Sequence, residues 1–213
     1  LRLLATAYLN TSETLEDPFE FSSADEETVK SLNTNYRVVS PLAKNSPALS
    51  VSVYNKETYT SQTLNELMDV KNQIVSLELS KMPVTDNDLQ NVAKFENLRR
   101  LNLNFTNITG DGLATLASLK HLTRLSLSGT KVNYPDLKQT LVDFENLNTI
   151  SLWKTEVTAD EINQLQTEYK NIQFLVGLKD DGSNPIKLNT PKLKHKSVVF
   201  DDSIQLQLFH CCK

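Results

Sequence analysis

The stretch "LRRLNLNFTNITGDGLATLASLKHLTRLSLSGTKV", residues 98–132, states one pattern twice. Leu98-x-x-Leu101-x-Leu103-x-x-Thr106-x-Ile108 returns 24 residues later as Leu122-x-x-Leu125-x-Leu127-x-x-Thr130-x-Val132. The frame extends both ways. Upstream it reads Ile74-x-x-Leu77-x-Leu79, followed by Met82 and Val84; downstream it reads Leu147-x-x-Ile150-x-Leu152, followed by Thr155 and Val157. A partial last copy reads Ile172-x-x-Leu175, giving intervals of 24, 24, 25 and 25 residues.

Alternation in x-Leu-x-Leu-x has period 2, so a short strand buries both leucines and exposes the residues between them. Thr106, Thr130 and Thr155 follow where the chain leaves the strand, and a threonine hydroxyl there can bond turn backbone. Thr85-Asp86, Thr109-Gly110-Asp111 and Thr158-Ala159-Asp160 are helix-starting residues, and one acid per repeat reads as a capping set. Apolar residues then recur three or four apart, as in Leu113, Leu116, Leu119 and Ile162, Leu165, Tyr169, the stripe of a helix facing the strands. One such unit cannot bury both faces, so neighbours must stack. This period and core pattern define a leucine-rich repeat. The expected class is α/β: a solenoid with short parallel strands on a concave face and helices on the convex side.

An open solenoid exposes its core at the ends. Leu49–Tyr54 alternates as a strand and Leu64, Leu67 and Val70 follow as its helix, which reads as an irregular N-terminal cap. Residues 23–33 predict a short helix with an acidic first turn, and residues 1–9 another helix. After Gly177, Lys179–Pro185 is turn-rich. Residues 198–200 and 204–208 then read as two strands, too few for a domain. The expected organisation is therefore an N-terminal helical and linker region at 1–47, the repeat domain with its cap at 48–178, a linker at 179–187, and the start of a truncated β-sandwich-like domain at 188–213.

The 213 residues are 39% hydrophobic and 23% charged, ordinary for a globular chain, and the net charge of −4 gives no reason to expect a nucleic-acid partner. No apolar stretch reaches the roughly 20 residues of a membrane span, and the short apolar window around Leu3–Ala7 lacks the cleavage site of a signal peptide. The chain starts at Leu1 and is expected to be a piece of a longer protein. Cys211 and Cys212 are adjacent, make no metal or haem spacing, and read as an incidental end sequence.

"KFENLRRLNLNFTNITGDGLATLASLKHLTRLSLSGTKV", "LWKTEVTADEI" and "LNTPKLKHKSVVFDDSIQLQL" together resemble the C-terminal portion of large envelope proteins of Bacteroidetes-type bacteria. Those proteins carry a membrane segment, a planctomycete-type cytochrome c domain, leucine-rich repeats and a β-domain of the fibronectin-III-associated or chitobiase C-terminal type. The resemblance covers most of residues 24–208. It implies an envelope-associated, extracytoplasmic setting with haem only in a parent protein, because no C-x-x-C-H stands in this chain. It also implies contacts with neighbouring domains of that parent.

Little in the chain suggests catalysis. Gly110-x-Gly112 lacks the third glycine and the lysine of a phosphate loop. Asn104-Phe105-Thr106 and Asn107-Ile108-Thr109 match glycosylation sequons, but the repeat generates them anyway. His121, His195 and His210 are scattered, and no Ser/His/Asp set or metal spacing can be assembled. The expected function is a non-catalytic interaction module with no cofactor of its own and a protein or glycan ligand. The alternative is an accessory scaffold of a carbohydrate-active enzyme whose catalytic domain lies outside the chain.

In this frame the exposed strand positions form three rows: Ser76, Arg100, Arg124, Thr149, Phe174; Glu78, Asn102, Ser126, Ser151, Val176; and Ser80, Asn104, Ser128, Trp153, Leu178. The predicted binding residues on this concave face are Arg100, Asn102, Asn104, Arg124, Ser126, Trp153 and Phe174. Trp153, the only tryptophan, offers an exposed ring beside polar residues, and Phe174 and Leu178 would extend an apolar patch on its far side.

Overall fold

A computed structural model of the chain describes residues 19–177. The predicted helix at 1–9, the strands at 198–200 and 204–208, and Cys211-Cys212 lie outside the described residues. Seven strands form one sheet in sequence order: β1 (Arg37–Pro41), β2 (Leu49–Val53), β3 (Ile74–Glu78), β4 (Arg100–Asn102), β5 (Arg124–Ser126), β6 (Thr149–Ser151) and β7 (Gln173–Leu175). The first pair is antiparallel and every later pair is parallel. This is the topology of a leucine-rich-repeat solenoid.

The helices are α1 (Glu26–Ser31), α2 (Gln62–Asn65), α3 (Leu89–Val92), α4 (Leu113–Leu116), α5 (Tyr134–Leu141) and α6 (Ala159–Glu168). Four of their number have six residues or fewer, too short to be stable alone. What holds α2–α6 is their apolar stripe, for Leu89, Val92, Leu113, Leu116, Leu137, Leu141, Ile162 and Leu165 are all buried. Opposite them Val51, Leu77, Leu101, Leu125, Ile150 and Phe174 stand on successive strands as one inward ladder.

The turn after each strand is held by the predicted threonines. Thr106, Thr130 and Thr155 each donate a hydroxyl hydrogen to the carbonyl three residues back, at 2.7, 2.6 and 2.8 Å. On the opposite side of the sheet Asn97 and Asn146 donate to carbonyls of the preceding repeat, Asn72 and Lys120, both at 2.7 Å. The acids cap differently from the expectation. The capping boxes are Thr85 with Asp88 and Thr158 with Glu161. Asp86 instead accepts from Thr109 of the next repeat, through its N–H at 3.1 Å and its hydroxyl at 2.7 Å, and Asp160 lies in the first turn of α6.

The expected boundary at 47/48 runs through the β1–β2 hairpin, so the sheet starts earlier than the cap predicted from the sequence. Strand β1 presents Val38 and Ser40 outward and Arg37 and Val39 inward. Its free edge is closed locally. The Asn33 amide accepts from the Val39 N–H at 2.8 Å and donates to the Val39 carbonyl at 3.0 Å, taking the place of a neighbouring strand. Thr34 N–H takes the Arg37 carbonyl at 2.9 Å, and Pro41 has no N–H to satisfy.

Arg37 is only 2% exposed, and its guanidinium donates to the Leu32 and Thr63 carbonyls and to Glu66 at 2.8 Å. A cation at an inward strand position is tolerable because a carboxylate and two carbonyls receive its hydrogen bonds. Nearby Asp88 is buried and accepts from Ser61 and from Thr85. The Tyr59 hydroxyl is buried without a hydrogen-bond partner among the described residues. Burial, and secondarily the Asp88 charge, push its pKa well above the usual phenol range.

Candidate functional site

The register defines what the strand face presents. One outward row is Ser76, Arg100, Arg124, Thr149, Gln173; the next is Glu78, Asn102, Ser126, Ser151, Leu175. Phe174 therefore does not belong to the face. It lies opposite Ile150, points inward and is 6% exposed. The last interval is one residue shorter than the sequence frame, because Ile172 takes the place of Val75 rather than that of Ile74. Both Val75 and Ile172 are buried, so an apolar residue there does not discriminate between the frames. Gln173 and Leu175 occupy the outward places, and Val176 is half-buried.

The N-terminal half of the face is tied up internally. Glu78 accepts from the Asn102 amide at 2.7 Å and from the Ser80 N–H at 3.0 Å. Asn102 in turn accepts from the Asn104 N–H at 2.9 Å, and Asn104 from the Ser128 N–H at 2.8 Å. These side chains satisfy backbone donors where the chain leaves the strands, which favours a structural role for Asn102 and Asn104. Asn104 is turned to that task even though it heads a sequon; Asn107 is exposed.

The C-terminal half is different. The Ser126 and Ser151 hydroxyls bond to nothing among the described residues, and Arg124 is exposed without an ion-pair partner among them. Arg100, one rung earlier, is half-buried. Trp153 is 41% exposed, as its place after the inward Leu152 requires. Its ring meets Phe105 edge to face at 6.2 Å between centroids and 87° between planes. Lys154 Nζ lies 4.5 Å from the Trp153 ring centroid. The apolar neighbours on the face are thus Phe105 and Leu175, 43% and 42% exposed, and Phe174 is not among them.

Phe105 had no place among the predicted site residues because it stands in the turn beyond the alternating strand. Lys81, Gly129 and Lys154 hold the same position in the other repeats, and all four have left-handed backbone, with φ of 63° at Lys81, 56° at Phe105, 71° at Gly129 and 56° at Lys154. An aromatic residue is uncommon in that conformation. A large apolar residue where the other repeats place Lys or Gly was the available signal.

The other sequence candidates are structural. A Cβ on Gly112 would meet Asp86 Oδ1 at 2.7 Å and one on Gly110 would overlap the Asp136 side chain, so close packing between repeats accounts for both glycines. His121 is exposed and occupies the turn position that Asn97 and Asn146 use for backbone bonding. Among the described residues no group of three or more His, Cys, Asp or Glu is placed to hold a metal ion, and no helix is long and apolar enough to cross a membrane.

No protein-family model matches the chain, and no curated protein matches it. Solved structures do. An internalin, InlF, from Listeria monocytogenes is 20% identical over 54% of this chain and 31% of its own, with a TM-score of 0.42. Internalin C2 from the same species is 21% identical over 53% of this chain and 45% of its own, with a TM-score of 0.39. The chain thus spans less than half the length of either internalin chain. The leucine-rich-repeat ectodomain of the receptor kinase SOBIR1 from Arabidopsis thaliana is 15% identical over 73% of this chain and 94% of its own, with a TM-score of 0.37. The period, sheet order and register make residues 49–177 of this chain a leucine-rich-repeat solenoid in their own right.

Proposed function

We propose that the chain is a non-catalytic protein-binding module whose working surface is the strand face of β5–β7. The observation that carries this reading is the unequal use of the strand face as a whole. Its N-terminal polar side chains are engaged in backbone bonding, whereas Arg124, Ser126, Ser151 and Trp153 remain available. Rigid presentation of an aromatic anchor beside unengaged polar groups suits recognition of a polypeptide. Such a module makes and breaks no bond and needs no cofactor of its own. The finer reading, a portion of a multidomain envelope protein with a c-type cytochrome domain, rests on the sequence resemblance. It is tested by the full reading frame, where an upstream C-x-x-C-H is expected.

The binding role is tested by selecting linear peptides from a displayed random library on the full chain. The selected peptides are then measured against Ser126→Arg and Ser151→Arg on the strand face and Lys138→Glu on the helical side. Loss of binding with the first two and retention with the third is the expected result. Peptides indifferent to both face substitutions would contradict the reading.

A further inference from the structure

Two aromatic residues on the rim of the face each lie across a glycine of the following repeat. A Cβ on Gly129 would run into the Phe105 ring, and one on Gly177 into the Trp153 ring. Phe105 follows β4, Gly129 follows β5, Trp153 follows β6 and Gly177 follows β7, so aromatic residue and glycine alternate from rung to rung. Because the two rings also touch edge to face, they form one continuous apolar ridge along four rungs, with Leu175 on the face beside it. Rungs of a sheet are spaced about 4.8 Å apart, so the ridge has the length of several residues of extended peptide.

Among the described residues the outward positions of β5–β7 contain Arg124 and no acid, and Lys154 stands over the Trp153 ring. The chain as a whole is acidic, with 26 Asp and Glu against 22 Lys and Arg. The acid of the strand face, Glu78, lies on β3 and is bonded to Asn102 and Ser80.

We infer that the face takes an extended acidic peptide segment carrying one bulky apolar side chain. The apolar side chain would lie on the Phe105–Trp153 ridge, its flanking carboxylates toward Arg124 and Lys154, and its backbone within reach of the Ser126 and Ser151 hydroxyls. A few cations are too few to hold a polyanion by charge alone, since nucleic-acid affinity rests on many phosphate contacts. The aliphatic Leu175 beside the rings favours an apolar side chain over a sugar ring.

This inference rests on the binding reading above, and the same library separates the two. Face-dependent peptides rich in Asp and Glu around one Phe, Trp or Leu are expected. Their binding should weaken as salt is raised and should shift the emission of Trp153, the single tryptophan. Arg124→Glu should weaken them roughly tenfold or more, as loss of a central anchor does. Phe105→Gly should do the same while keeping the turn, because Gly129 already occupies that position in the next repeat. A synthetic acidic peptide with Ala in place of its apolar residue should bind far more weakly. Equal binding of that Ala peptide would overturn the ridge, and tighter binding of a sulfated polysaccharide than of any peptide would make the ligand an anionic glycan. Face-dependent peptides that are neutral or basic would overturn the inference and leave the binding reading intact. Absence of any face-dependent peptide would remove both.

Discussion

On β3, β4 and the turn after β4 the outward side chains of Glu78, Asn102 and Asn104 bond to one another and to backbone N–H groups; on β5–β7 Ser126, Ser151 and Leu175 follow in the row of Glu78 and Asn102, and their side chains bond to nothing among the described residues. The strand geometry is the same in both halves. The difference teaches that a polar residue on a repeat's exposed row has two possible employments, and only its partners distinguish them. Where the side chain closes a backbone donor it contributes to stability. Where it has no partner, its cost of exposure is nil and it remains available to a ligand.

The largest effects should fall on the inward ladder that both halves share. Leu101→Ala and Leu125→Ala should each destabilise by about 2–5 kcal/mol, as buried leucine truncations do, and equal denaturation midpoints would break the repeat register. At the C-terminal end the register itself can be sharpened. Phe174→Ala should cost roughly 3 kcal/mol or more and Leu175→Ala less than about 1 kcal/mol, measured by the same denaturation; the reverse order would restore the longer last repeat. On the face, Asn102→Ala should cost about 1–2 kcal/mol, because it leaves the Asn104 N–H and Glu78 without their partner. Ser126→Ala should be neutral within about 0.5 kcal/mol. The smallest effect lies outside the sheet, at the exposed N-cap of α1. The Thr28 N–H and hydroxyl hold the Asp25 carboxyl below its usual range. A depressed carboxyl contributes stability above its unfolded-state pKa and loses it as pH falls through the folded value. The midpoint difference between wild type and Asp25→Asn should therefore shrink on acidification; a difference that grows would contradict the cap.

The fold was legible because each rung repeats two inward leucines or their equivalents, and four rungs agree. The last rung was not, since both Ile172 and Phe174 are buried and apolarity alone cannot choose between the two frames. Strand β1 escaped because Arg37 occupies an inward position and breaks the apolar alternation. Its pairing is also antiparallel, so it follows no repeat. Trp153 was placed on the face by its neighbour Leu152 alone. Phe105 was missed because a turn residue has no alternation to read. The engagement of Asn102 and Asn104 depends on contacts between side chain and backbone across rungs, which a list of exposed positions does not contain.

Trp153 bears most directly on the division of the face. If its ring belongs to an exposed ridge and not to the core, Trp153→Ala should cost only about 1–2 kcal/mol, the share of a half-buried ring and one edge-to-face contact, in chemical denaturation of the full chain. A loss of about 3–5 kcal/mol, the size of a core tryptophan truncation, would show that the ring holds the repeats together, and the C-terminal half of the face would then be structural like the N-terminal half.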